Sequence, residues 1–200
     1  MPGLAEGCRL HFEQPAVQED LGEALGHLLV RLGVPHRRLV YLCIGTDRST
    51  GDALGPLVGE RLLDEVGGVA EVFGTLRDPV HASNLQDALA RLRTRDPQPV
   101  IVAVDACLGR LESVGTITVS PGPLSPGAGV NKSLPEVGAA FVTGTVNVGG
   151  FMEYFVLQNT RLHLVMRMAE AISGGLAMAA RRSCADATSV GVAEVASALA

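Results

Sequence analysis

The sequence predicts an α/β fold, a single three-layer αβα domain around a mostly parallel sheet. Three observations predict it. Two continuous apolar runs, Leu39–Ile44 and Val100–Val104, suit strands covered on both faces, as the strands of a parallel sheet are. Segments with apolar residues at helical spacing alternate with these runs. No linker, shift in composition or internal repeat divides the chain.

Element by element, Leu21, Ala24, Leu25, Leu28, Leu29 and Leu32 repeat at helical spacing, and Gly33 and Pro35 end that helix. The strand Leu39–Ile44 follows and stops at Gly45. A polar loop, 46–51, leads to a second helix predicted over 52–66. A strand is predicted over 69–75 and a helix over 83–92, with Ser83 as its N-cap. The strand Val100–Val104 runs straight into Asp105. The Thr-rich, β-branched stretch 115–119 is a further strand, and a proline- and glycine-rich loop spans 120–135. Residues 141–148 read as a strand or an extended loop, and 152–178 as one closing helix. The domain is expected over 19–182, between a flexible N-terminal segment, 1–18, and a flexible tail, 183–200.

Bulk properties narrow the function. A chain of 200 residues with 47% apolar residues can bury a substantial core. A net charge of −5 argues against nucleic acid, which requires a concentrated basic face. No uncharged apolar run approaches the ~20 residues of a bilayer span, and residues 1–18 lack the apolar core of a signal peptide. A cytoplasmic protein is expected, without nucleic-acid or membrane partners. The four cysteines, Cys8, Cys43, Cys107 and Cys184, show no Cys-x-x-Cys pair, and no zinc site or cofactor is expected.

In α/β folds ligands gather at the carboxyl ends of the strands, near the switch in strand order. The loop from Gly45 to Pro56 stands at such an end. It is not a phosphate loop: five residues separate Gly45 from Gly51, and Asp52 replaces the lysine. Gly127-Ala-Gly129-Val-Asn-Lys132 also misses the dinucleotide pattern. The remaining chemistry is acidic. Asp52 is either a helix N-cap or one half of an acid pair; Asp105 either anchors its own loop or is the other half. Two carboxylates about 4 Å apart repel by ~4 kcal/mol at an effective dielectric near 20. That separates their titrations by roughly three pKa units, so one holds a proton while the other is ionised. Such a pair can activate water.

Asp47 shares the first loop. His81, after the second predicted strand, is open to three roles: metal ligand, general base or helix-start residue. The loop containing Gly127, Gly129, Asn131 and Lys132 offers bare backbone N–H groups and a charge to a substrate.

Leu42–Val58 and Val102–Arg110 resemble the two acidic motifs of the spore germination protease family, and Ser125–Asn131 resembles its glycine-rich segment, in the same order. From Leu39 to Ala171 the chain resembles the YyaC family of sporulation proteins, through Gly74–Ala82, Pro126–Lys132, Gly150–Met152 and Leu157–Leu162. The resemblance extends to the hydrogenase maturation protease fold. It implies a peptidase of sporulating cells or spores, in which Asp52 and Asp105 activate water to cleave a protein or peptide substrate. The family's natural substrates are small acid-soluble spore proteins. The chain departs from the pattern in being shorter and in reading Gly-Val-Asn-Lys where the glycine-rich segment should end in Gly-Asn. In hydrogenase maturation proteases a later histidine completes a nickel-reading site, yet here none falls between Asp105 and His163. A non-catalytic sporulation factor that binds a protein partner, and a metal-dependent hydrolase, are the alternatives.

Overall fold

A computed structural model describes residues 7–126 and 134–198, with side chains as far as residue 185. The order of elements is β1 (Cys8–His11), α1 (Val17–Arg31), β2 (Leu39–Cys43), α2 (Leu54–Glu65), β3 (Glu71–Phe73), α3 (Leu85–Arg95), β4 (Val100–Gly109), β5 (Thr116–Pro121), β6 (Ala140–Val148), α4 (Glu153–Gln158) and α5 (Leu162–Ala198). One short 3₁₀ turn, Leu111–Ser113, joins β4 to β5.

Six strands form one sheet in the order β1-β5-β6-β4-β2-β3. The neighbours from β6 to β3 pair in parallel, and β5 alone runs the other way, antiparallel to both β6 and β1. Alternation along β2 shows why its sequence is apolar throughout. Leu39, Tyr41 and Cys43 face a core shared with α1, α2 and α5, while Val40, Leu42 and Ile44 face a second core closed by Leu85, Ala88, Leu89 and Leu92 of α3. Helices therefore cover the sheet in three layers. The crossover from β2 to β3 moves outward and the one from β3 to β4 returns past β2. Right-handed connections running in opposite directions place α2 and α3 on opposite faces.

The first core is held tight by α1 against α5. Gly22 of α1 lies so close to α5 that a methyl group there would stand 2.8 Å from Cβ of Met178. The buried Tyr41 hydroxyl donates to the carbonyl of Leu176 at 2.7 Å, tying the centre of β2 to α5. At the carboxyl edge α2 passes directly over the end of β2, where a methyl on Gly55 would lie 2.0 Å from the carbonyl oxygen of Ile44.

Four elements differ from the sequence expectation. Residues 8–18, expected to belong to a flexible segment, form β1 and the first residues of α1; β1 gains its order from pairing with β5. The expected tail continues as backbone helix in α5 to Ala198. The single helix expected over 152–178 is broken at Asn159–Thr160. There side chains take a carbonyl that a continuing helix would use: Thr160 and Asn147 both donate to Val156, while the Thr160 amide turns to Leu157. Finally, β4 does not end before Asp105 but continues through it to Gly109, because β6 stays beside it.

Gly55→Ala tests the close approach of α2. Alanine gains about 1 kcal/mol of helix propensity over glycine, whereas overpacking against fixed backbone costs about 1–3 kcal/mol. The contact is with main chain, so the loss prevails. A lower midpoint in urea unfolding is expected; a rise would show that α2 can withdraw at no cost.

Candidate active site

The site arises where β2 stops and β4 goes on. Their last paired residues are Cys43 and Val104, and the amide of Ile44 closes the ladder on the carbonyl of Val104 at 2.7 Å. Asp105 is the next residue of β4. Its side chain alternates with Val104 and so points to the α3 side, as Ala103 does. The amide of Ala106, facing the side that β2 has left, donates to Oδ1 of Asp105 at 2.8 Å. One carboxyl oxygen is thus anchored on its own strand, as the loop-anchoring role anticipates, and the other is left for chemistry.

The chain beyond β2 folds back over this step. Gly45, with φ of +147°, makes the turn, and a side chain there would stand 2.0 Å from the carbonyl oxygen of Asp52. The amide of Thr46 donates to that carbonyl at 3.1 Å. The loop is held from outside by the amide of Gly51, which donates to the carbonyl of Leu157 at 2.8 Å. These contacts hold Asp52 near enough to Asp105 for its charge to act on that carboxyl. Asp52 is not the helix N-cap: α2 begins at Leu54 behind Ala53, and no side chain caps it.

The electrostatics separate the two acids. Burial raises the Asp105 carboxyl well above the ordinary carboxylate range, and the charge of Asp52 raises it further; the Ala106 amide only partly offsets this. Asp52 is raised by burial, but the His81 imidazole and the Thr46 amide pull it down. Asp105 is therefore the member that keeps a proton and Asp52 the member that ionises first.

His81 reaches the site from the strand extension in which Val80 bridges to Ile44. Its Nδ1 lies 2.9 Å from the Ser83 hydroxyl, and its amide donates to Oδ1 of Asn84 at 2.8 Å. Ser83 thus braces the imidazole and does not cap α3, which begins behind Asn84. Asp47 is exposed on the loop, and among the described residues nothing ties it to the acids. Gly127, Gly129, Asn131 and Lys132 lie outside the described residues. The flanks of their segment, Leu124 and Val137, pair with each other and pack into the α3-side core, the face that Asp105 occupies.

Sequence reasoning missed two features of this neighbourhood. The Ser49 hydroxyl, in the acid loop, is buried with no hydrogen-bond partner among the described residues. Thr143 stands opposite Asp105 on β6, and Thr145 stands opposite Cys107, whose Sγ lies 3.4 Å from the Thr145 hydroxyl. Alternation along β6 signals that these threonines share a face, but only the register places them beside the acid.

A resident metal does not fit what is assembled. Among the described residues no three His, Cys, Asp or Glu side chains converge on one point. The imidazole acting on Asp52 is His81, whereas His163 is exposed at the start of α5. The depression beside α4, about 550 Å³ and lined by residues including Asn147, Phe151, Met152 and Phe155, contains neither acid.

Among known proteins, the family described as "Protein of unknown function (DUF1256)" matches residues 9–175. The curated "Uncharacterized protein YyaC" of Bacillus subtilis (strain 168) is 56% identical over 143 residues, which are 72% of this chain and 70% of that protein. Among solved structures, the NiFe hydrogenase maturation protease HycI from Thermococcus kodakarensis KOD1 aligns with a TM-score of 0.48 at 18% identity, covering 77% of this chain and 99% of that one. No helix among the described residues is long and apolar enough to cross a membrane.

The buried acid makes stability depend on pH with a definite sign. As pH rises past about 4, a carboxyl in the unfolded chain ionises while buried Asp105 keeps its proton. The unfolded state is then favoured, so wild-type stability falls with rising pH until the folded carboxyl also ionises. Asparagine carries no such penalty. The melting temperature of Asp105→Asn should exceed that of wild type by a margin smallest near pH 3 and growing toward neutrality, as read by calorimetry. A margin that stays flat with pH would show that Asp105 is not held protonated.

Proposed function

This chain belongs to the DUF1256 family, and on that footing we propose that it is a peptidase in which Asp52 and Asp105 share one proton and activate water against a peptide bond. The observation that carries the reading is the coupling of two carboxyls at the step between β2 and β4, both raised by burial, with Asp105 raised well above the ordinary range and Asp52 held back by His81 and the Thr46 amide. A pair used only to cap or anchor has no need of this. Asp52 is released from capping, and Asp105 is buried at 8% exposure with one oxygen uncommitted to the backbone.

The chemistry follows from the two protonation states. Ionised Asp52 takes a proton from a water molecule as the water oxygen bonds to the substrate carbonyl carbon. Protonated Asp105 donates to the carbonyl oxygen, whose charge grows as the tetrahedral intermediate forms. When the C–N bond breaks, the proton held by Asp52 passes to the leaving amine, and the hydroxyl on the former carbonyl oxygen returns its proton to Asp105 as the new carbonyl forms. His81 keeps Asp52 ionisable in spite of its burial. Gly127, Gly129, Asn131 and Lys132 are proposed to hold the substrate main chain, and Asp47 to meet it at the rim. The substrate class suggested by the sequence motifs is small acid-soluble spore proteins, cut in the cytoplasm of the sporulating cell or spore.

A second reading, a partner-binding factor without catalysis, is favoured by one observation. Phe151, Tyr154 and Phe155 are 81%, 60% and 54% exposed beside α4, an apolar cluster of the kind that marks protein contacts.

Incubation of purified protein with small acid-soluble spore proteins, followed by mass spectrometry of the fragments, separates the two. Wild type should cut, and Asp52→Asn and Asp105→Asn should each lose at least about 100-fold in rate. Undiminished cutting by either variant removes the acid pair from the mechanism, and no cutting by wild type favours the binding factor. His81→Gln should raise the Asp52 carboxyl further and so move the acid limb of the pH–rate profile to higher pH; an unmoved limb would show that His81 does not act on Asp52.

A further inference from the structure

The α3 side of the sheet is covered unequally. Over β2 and the first half of β4 it is apolar and closed by α3. Beyond β4 no helix of the described residues contributes to the core on this side. The residues there alternate with ones that belong to the opposite core: Cys8 and Leu10 on β1, Ile117 and Val119 on β5, Val142 on β6. Their sequence neighbours therefore point to the α3 side; Phe141 packs there against the second core, and the register aligns the others in rows. One row runs Arg9, Thr118, Thr143, Asp105 across β1, β5, β6 and β4. Thr118 and Thr143 are only half-buried, and Arg9 is exposed.

A sheet face meant to be sealed by its own chain reads as apolar, as β2 does. This half carries hydroxyl groups, with an arginine at one end and the proposed catalytic acid at the other. Among the described residues no carboxylate forms an ion pair with Arg9. Its positive charge is nonetheless felt, weakly, by the Cys107 thiol on β4. Three inter-strand steps of about 4.8 Å put the Arg9 backbone ~14 Å from that of Asp105. That distance matches about four residues of extended peptide at ~3.4 Å each.

We infer that the open threonine-bearing face of β1, β5 and β6 is the substrate floor, and that Arg9 selects a carboxylate-bearing residue a few positions from the bond to be cut. Polarity fixes the direction. Asp52 and Asp105 repel an acidic side chain at their end of the trough, while Arg9 offers the charge partner at the other. The threonine hydroxyls accept and donate along an extended main chain with little regard to sequence. Arg9 is thus a specificity residue, not a catalytic one, and its assignment as such rests on the peptidase reading.

The test measures binding without cleavage. Full-length wild type, Arg9→Gln and Arg9→Lys, each checked for unchanged circular dichroism, are titrated by ¹⁵N NMR with two Ala- and Thr-rich peptides identical except for a single glutamate or glutamine. The glutamate peptide should move the Thr118 and Thr143 amide signals of wild type. Its affinity should fall about tenfold in Arg9→Gln and recover in large part in Arg9→Lys. The glutamine peptide should bind all three proteins equally and weakly. Equal affinity of wild type for both peptides, or no movement at Thr118 and Thr143, overturns the inference. Loss of peptide discrimination with spore-protein cutting intact would remove only the role of Arg9, whereas glutamate-selective binding without any cutting would leave the trough and remove the peptidase.

Discussion

Much of this molecule depends on a difference in strand length. β2 is five residues long and β4 ten, and they start in register, so the upper half of β4 stands without its neighbour on one side. A loop has to fill the step, and it can do so only by passing very close to the strand ends. Gly45 supplies the positive φ and Gly55 lets α2 lie on the Ile44 carbonyl. The backbone amide exposed by the missing strand is taken by the Asp105 side chain. A site of this kind needs no inserted domain, because stopping one strand early leaves a sheltered notch at the switch in strand order.

Burying a carboxyl pair works against folding, since the charged form of each acid loses water that the other acid cannot replace. The cost is limited while the more deeply buried member, Asp105, stays neutral. The rest of the stability has to come from elsewhere, and the packing of α1, α2 and α5 on the opposite face is where it is concentrated. The same division of labour shows in β2, whose two sets of alternating side chains serve two separate cores. The polar half of the α3-side face adds little to either core, as expected for a surface kept open.

How far the sequence could be read follows the physics of each signal. The β2 and β4 strands stood out because burial on both faces demands unbroken apolar runs; Asp105 stood out because it directly follows such a run, and Asp52 because it stands at the end of the polar loop after one, where a phosphate loop would carry lysine. β1 did not, since Cys-Arg-Leu-His is half polar and becomes a strand only by pairing with β5. The break at Asn159–Thr160 was hidden because apolar periodicity continues on both sides of it, and what stops the helix is side-chain hydrogen bonding. Asp105 read as the end of a strand for want of knowing that β6 accompanies it further. The row from Arg9 to Asp105 joins residues from four strands, and no spacing along the chain encodes register between strands that distant in sequence. His81 was visible as a candidate, but only the bridge between Val80 and Ile44 shows which of its neighbours it serves.

The bond from Tyr41 to Leu176 joins residues 135 positions apart, and α5 leaves the ribosome after every strand of the sheet. Until it does, the faces of β2, β4 and β6 that α5 covers have no lid, and the apolar side of α1 has no partner. Local helices can form during synthesis, but the sheet cannot settle its long-range contacts before the final helix arrives. The notch holding Asp52 and Asp105 therefore takes its final form only once α5 has emerged, after every strand of the sheet has been made.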